Sequence, residues 1–229
     1  MAQTAQTAQM AQTTQTQQQQ QQMTAPAVNF TNIFSNTVTR FHLKELFLSL
    51  SQDDFSIVDL NLNTEQFKIE RQLLSMIKQT KTLYDSNRNV IWVMEHPIFK
   101  MFHRTYKFKN ANGDLLFKIR NHFRLLPGQG KKLTLKLNNG SVIIAKGKPL
   151  DLNTPIMLNG VLLAEVKKSL ISARGLATGL SGYNLTVQPN VDIPMSFAFV
   201  TVLDEEREKK ASNVPMMAMM RPGGLFGTP

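Results

Sequence analysis

The chain has 229 residues, no cysteine, 42% hydrophobic and 18% charged residues, and a formal charge of +10. That length suits one domain with a substantial core or two small ones. The lack of cysteine excludes a disulfide framework, a thiolate nucleophile, cysteine zinc ligands and S-palmitoylation. Nothing before Arg40 carries a charged side chain. The excess cations therefore crowd onto the rest of the chain, a density that favours anionic partners such as nucleic acid or an acidic membrane face.

Residues 1–38 read as a disordered Gln/Thr/Ala-rich tail, with the run Gln17–Gln22 at its centre. Such a stretch has too little apolar surface to offset the entropy of ordering. It has no basic-then-apolar secretory pattern. Ala2 stands where myristoylation needs Gly, and no run in the chain approaches the ~18 apolar residues of a spanning helix. The expected location is cytoplasmic, with peripheral membrane or nuclear placement as the variants.

From residue 39 to 210 the signal is short strands punctuated by turns. Thr82–Tyr84 meets Asp85-Ser86-Asn87-Arg88-Asn89 and returns as Val90–Met94. Tyr106–Lys109 meets Asn110–Asp114 and returns as Leu115–Ile119. Lys131–Leu137 turns at Asn138-Asn139-Gly140 into Ser141–Ala145, and Ile156–Leu158 turns at Asn159-Gly160 into Val161–Val166. Asn-Gly supplies the positive φ that tight hairpins need. Four hairpins with little helical periodicity predict an antiparallel β sandwich or barrel. Phe67-Lys68-Ile69 also resembles Phe117-Lys118-Ile119, each following a turn and preceding an apolar hairpin, which suggests two related units.

Val191–Arg207 breaks the pattern. Asp192 suits a helix N-cap and Pro194 the first turn, and the apolar stretch runs on without a turn into the charged Asp204–Lys210. A helix apolar on every face must be buried all round, and inside an all-β domain the lumen of a barrel can do that. Phe197, Phe199, Val200 and Leu203 are expected inside a ring of strands. Asp204, Glu205 and Glu206, at the helix end, are expected to be solvated. Residues 211–229, rich in Met, Pro and Gly, read as a second disordered tail.

The layout from about Phe41 to Glu208 resembles the LURP-one-related proteins, which belong with tubby C-terminal domains and phospholipid scramblases. The resemblance rests on Phe67-Lys68-Ile69 leading to Thr82-Leu83-Tyr84-Asp85 and Asn89, on the second copy from Phe117, and on Val191-Asp192-Ile193-Pro194 leading to Leu203-Asp204. It implies a closed antiparallel barrel of about twelve strands around a buried hydrophobic helix. It also implies no established enzymatic activity. Tubby domains bind phosphoinositide head groups through barrel Lys and Arg residues, but none of their ligand positions transfers to this chain. Scramblases add a cysteine cluster, a calcium-binding segment and a membrane helix, and these are missing here.

The candidate anion-binding residues are Lys107, Lys109, Lys118 and Arg120, placed by strand periodicity on one face of one hairpin, and Lys131 and Lys132, which follow Pro127-Gly128-Gln129-Gly130 on a loop able to reach a membrane. The competing reading is an ordinary solvated face. His42, His96, His103 and His122 lack metal-ligand spacing, no nucleophile elbow or glycine-rich nucleotide motif is present, and neither enzyme chemistry nor a cofactor is expected. Binding of anionic phospholipid head groups is the leading reading. A protein-interaction adaptor recruiting through its tails is the alternative. Nucleic-acid binding ranks third, because the aromatic residues sit at strand positions that face a core rather than in an exposed stacking row.

Overall fold

The structure is a computed structural model that describes residues 27–46, 54–73, 78–97, 105–122, 131–147, 153–169 and 182–219. Twelve strands follow in chain order: β1 Thr39–Leu46, β2 Asp54–Asp59, β3 Thr64–Leu73, β4 Lys78–Asp85, β5 Val90–Pro97, β6 Thr105–Lys109, β7 Leu115–His122, β8 Lys131–Lys136, β9 Val142–Gly147, β10 Asn153–Leu158, β11 Val161–Ser169 and β12 Gly182–Val187. Each pairs antiparallel with its neighbours in sequence, and β1 pairs with β12 to close the ring. Closure leaves no unpaired strand edge for another chain to extend. The remaining element is the helix α1, Ile193–Met219.

The turns expected from Asn and Gly form the tight end of the barrel. Asn159 and Gly160 both take positive φ (51° and 86°) between β10 and β11, the geometry of a two-residue hairpin. At Asp85–Asn89 a carboxylate does the shaping: Asp85 accepts from the backbone N–H groups of Asn87 and Asn89 and from the Asn89 side chain. The sequence repeat also has a structural counterpart, since Ile69 and Ile119 both face the lumen.

A ring of twelve strands is too wide for its own side chains to fill, and α1 occupies the lumen. Every residue from Ile193 to Glu205 is buried. Phe197 packs edge-on between Phe41 (5.0 Å) and Phe67 (5.2 Å). The buried Trp92 indole donates to the Pro194 carbonyl at 3.0 Å. The buried hydroxyls of Ser196 and Thr201 donate back to carbonyls one turn earlier. The expectation for Phe197, Phe199, Val200 and Leu203 holds.

Both ends of the buried stretch are anchored by charge. At the start, Asp192 is fully buried; it caps α1 by accepting from Met195 N–H (2.8 Å) and clasps the incoming chain by accepting from Phe30 N–H, Thr31 N–H and the Thr31 hydroxyl. Val28 bridges to Val191, and Phe30 packs on Phe117. Residues 27–38, assigned above to the tail, thus lie on the barrel end, because an anionic cap draws in backbone donors. Residues 1–26 lie outside the described residues.

At the other end the expectation of solvated acids is wrong for two of the three. Asp204 and Glu205 are buried, facing Lys81, whose Nζ lies 3.1 Å from Glu205 and 3.9 Å from Asp204. Tyr183 donates to Asp204 at 2.7 Å, Arg71 approaches Glu205, and the Tyr106 hydroxyl meets Glu206. These acids stay inside because the barrel wall supplies their countercharges. The helix runs on to Met219, into the segment read as a tail from residue 211 and through Pro215.

Candidate functional site

Strand periodicity sorts β6–β9 into an apolar lining and a cationic outer face. Tyr106, Phe108, Phe117, Ile119, Leu133, Leu135, Ile143 and Ala145 are buried against α1. The alternate positions put Lys107, Lys118, Arg120, Lys132, Lys136 and Lys146 outside. The register then makes an unusual arrangement: Lys107 is directly opposite Lys118, and Lys132 directly opposite Lys146. Arg120 lies between these pairs, opposite Thr105 on one side and Thr134 on the other.

Directly opposed side chains in an antiparallel pair have Cβ atoms about 5 Å apart, and like charges there are destabilising. Among the described residues none of these six cations makes an ion pair, although the register sets Glu95 directly opposite Lys107 on β5. The outward acids are engaged elsewhere. Glu70 is bound by Lys68, whose hydrogen bond holds that carboxyl below its ordinary range with Arg88 assisting and burial opposing. Glu165 is likewise held low by hydrogen bonds from Asn153 and Lys167. Glu95 pairs with Lys109 at 3.1 Å.

The six cations named from the sequence are therefore not one set. The face keeps Lys107, Lys118, Arg120 and Lys132. Lys109 differs from them in being paired: Glu95 binds it, and a bulge on the β7 side sets it opposite Leu115. Lys131 is placed opposite Gly147, and its side chain lies outside the described residues. Lys136 and Lys146 join. Lys136 was legible as the third outward position of Lys132-Leu133-Thr134-Leu135-Lys136, whereas Lys146 needed the register to place it beside Lys132. Of the histidines, His42 bonds Asn184 and His122 bonds Thr134; His103 lies outside the described residues. No group of metal-ligating side chains occurs among the described residues, and no helix there is long and apolar enough to cross a membrane.

Beside the cations, the outer surface of β9 and β10 carries a groove of about 560 Å³ lined by Val142, Ile144, Pro155 and Met157, with Lys146 at its rim.

A family model described as LURP-one-related matches residues 39–204. The chain belongs to the LURP-one-related family. No curated protein and no solved structure matches it. The LURP-one-related match begins at the first residue of β1 and ends at Asp204. It thus spans all twelve strands and the buried helix up to the carboxylate that meets Tyr183 and Lys81. It leaves out the clasp around Val28–Thr31. LURP-one-related domains are generally non-catalytic binding domains, and the outer cationic face of β6–β9 lies wholly within the matched span.

Proposed function

We propose that this LURP-one-related domain is a non-enzymatic module that binds anionic phospholipid head groups, phosphoinositides included, on the outer face of β6–β9. The observation that carries this reading is the two pairs of directly opposed lysines, Lys107–Lys118 and Lys132–Lys146, with Arg120 between them and none of the five in an ion pair among the described residues. A row of phosphate oxygens supplies the missing countercharge and turns mutual repulsion into charge-assisted hydrogen bonding. Close to an anionic membrane each such cation contributes about 1 kcal/mol, or about five-fold in binding. A nucleic-acid backbone offers the same charge, but the aromatic rings of β6–β9 are buried, so this face has no stacking platform for bases.

Vesicle sedimentation tests the proposal. Binding is expected to vesicles carrying phosphoinositide and not to neutral ones, and it should fall steeply in Lys118→Glu/Lys132→Glu. Equal binding to both kinds of vesicle removes the reading.

A further inference from the structure

Strands β9 and β10 differ from the rest of the basic face in being apolar on both sides. Inside, Ile143, Ala145, Ile156 and Leu158 are buried in the core. Outside, Val142, Ile144, Pro155 and Met157 are only half-buried. Outward positions of a barrel strand are ordinarily polar, and apolar ones in a row mark a contact surface. They line the groove of about 560 Å³, a size typical of small-molecule sites. The turn residues Gly140, Ser141, Asn159 and Gly160 close one end, and Lys146 stands at the other. The ladder between β9 and β10 holds only three residue pairs, Ile156 to Leu158 against Ala145 to Ile143. Pro155, which has no N–H to give, lies just beyond it.

We propose that this groove holds the single hydrocarbon chain of an anionic amphiphile whose charged group rests on Lys146 and Lys132. The inference rests on the head-group reading above and adds a chain site to it. Charge placement selects the occupant. Among the described residues Lys146 is the only charged side chain lining the groove, and Lys132 is directly opposite it on β8; Glu165, opposite Pro155 on β11, is engaged by Asn153 and Lys167. Ile144, on the groove floor, is opposite Thr134, which in turn is opposite Arg120. A ligand lying on Ile144 and Met157 therefore reaches cations within one or two strand spacings of about 5 Å each. From Val142 to Lys146 the groove runs about 13 Å, at 3.3–3.4 Å per residue. An extended peptide gains nothing from main-chain pairing here, because the barrel has no free edge.

The test is calorimetric titration of the full chain with monoalkyl phosphates of increasing chain length, each below its micelle concentration. Inorganic phosphate serves as the chain-free probe and alkyl glucosides as the uncharged ones. Affinity is expected to climb with chain length, by up to roughly fifteen-fold per two methylenes, and to level off once the groove is full. Ile144→Trp fills the groove and Met157→Gln makes its floor polar; each should flatten the climb and leave sedimentation with anionic vesicles intact. Affinity independent of chain length, or a climb unchanged in both variants, overturns the chain site while vesicle binding still stands. Glucosides binding as well as phosphates, with Lys132→Glu and Lys146→Glu inert in both assays, overturns the head-group reading and the chain site with it. Alkyl phosphate binding that appears only after removal of residues 211–229 assigns the groove to the chain's own methionine-rich end, and also overturns the proposal.

Discussion

Lys81 and Glu205 meet inside the barrel, Nζ to Oε2 3.1 Å apart, with each side chain only 2% exposed. One comes from the wall and the other from the helix, and Asp204 shares the same ammonium at 3.9 Å. Lys81→Met leaves two buried carboxylates without that cation. The expected cost is about 3–5 kcal/mol in urea unfolding, with a fall in melting temperature on the order of 10 °C. Lys81→Met/Glu205→Leu should recover a substantial part of it, because an apolar pair in place of a buried ion pair is often neutral. No recovery would mean that Asp204 is the partner that matters.

Asp192 joins two distant parts of the chain: it caps α1 and holds the backbone of Phe30 and Thr31. Asp192→Ala is expected to destabilise by about 2–4 kcal/mol, combining a lost cap with buried donors left unpaired. Hydrogen exchange separates the two roles. The amides of Phe30 and Thr31 should lose protection well before those of Phe197–Thr201, and equal loss at both sites would contradict the clasp.

Lys118→Glu should separate stability from binding. Opposite Lys107, the new carboxylate replaces a like-charge pair with an ion pair, a gain of about 0.2–1 kcal/mol. Association with phosphoinositide vesicles should drop by about five-fold or more at the same time. A variant that lost stability as well would show that Lys107 and Lys118 are not apposed.

Acid should weaken the fold through hydrogen-bonded carboxylates near the surface. Glu70, hydrogen-bonded by Lys68, and Glu165, hydrogen-bonded by Asn153, titrate below their ordinary 4.5 in the folded chain. Asp85, hydrogen-bonded by Asn89, titrates below 3.8. A depressed folded value contributes stability that is fully present above the unfolded pKa and is lost as pH falls through the folded one. The urea midpoint should therefore hold from neutrality to about pH 5 and decline below it. Glu70→Gln should lower the plateau slightly and make the decline shallower.

How far the molecule could be read from its sequence differs from element to element. The hairpins at Asp85–Asn89, Asn110–Asp114, Asn138–Gly140 and Asn159-Gly160 were legible because turn chemistry is local and strand alternation repeats every two residues. The plug was legible because a stretch apolar on every side has nowhere else to go. The clasp of residues 27–38 was not, because nothing near Phe30 signals an acceptor that stands beyond the last strand. That Lys109 is paired was hidden for a similar reason: its partner Glu95 is on the preceding strand, and which side chains meet across two strands is a property of their register.

By itself, then, the sequence determined the strands, the turns, the apolar helix and the surplus of cations, since each depends on residues within a few positions of one another. Only the tertiary structure decided which charges are spent and which are available. Lys81 looks like any strand lysine, yet it is consumed in the core by Asp204 and Glu205. Lys146 looks no different, yet it faces Lys132 across a ladder and rims a groove. A charge acts on whatever the fold brings within a few ångströms, and those neighbours come from strand register and barrel closure rather than from adjacent residues.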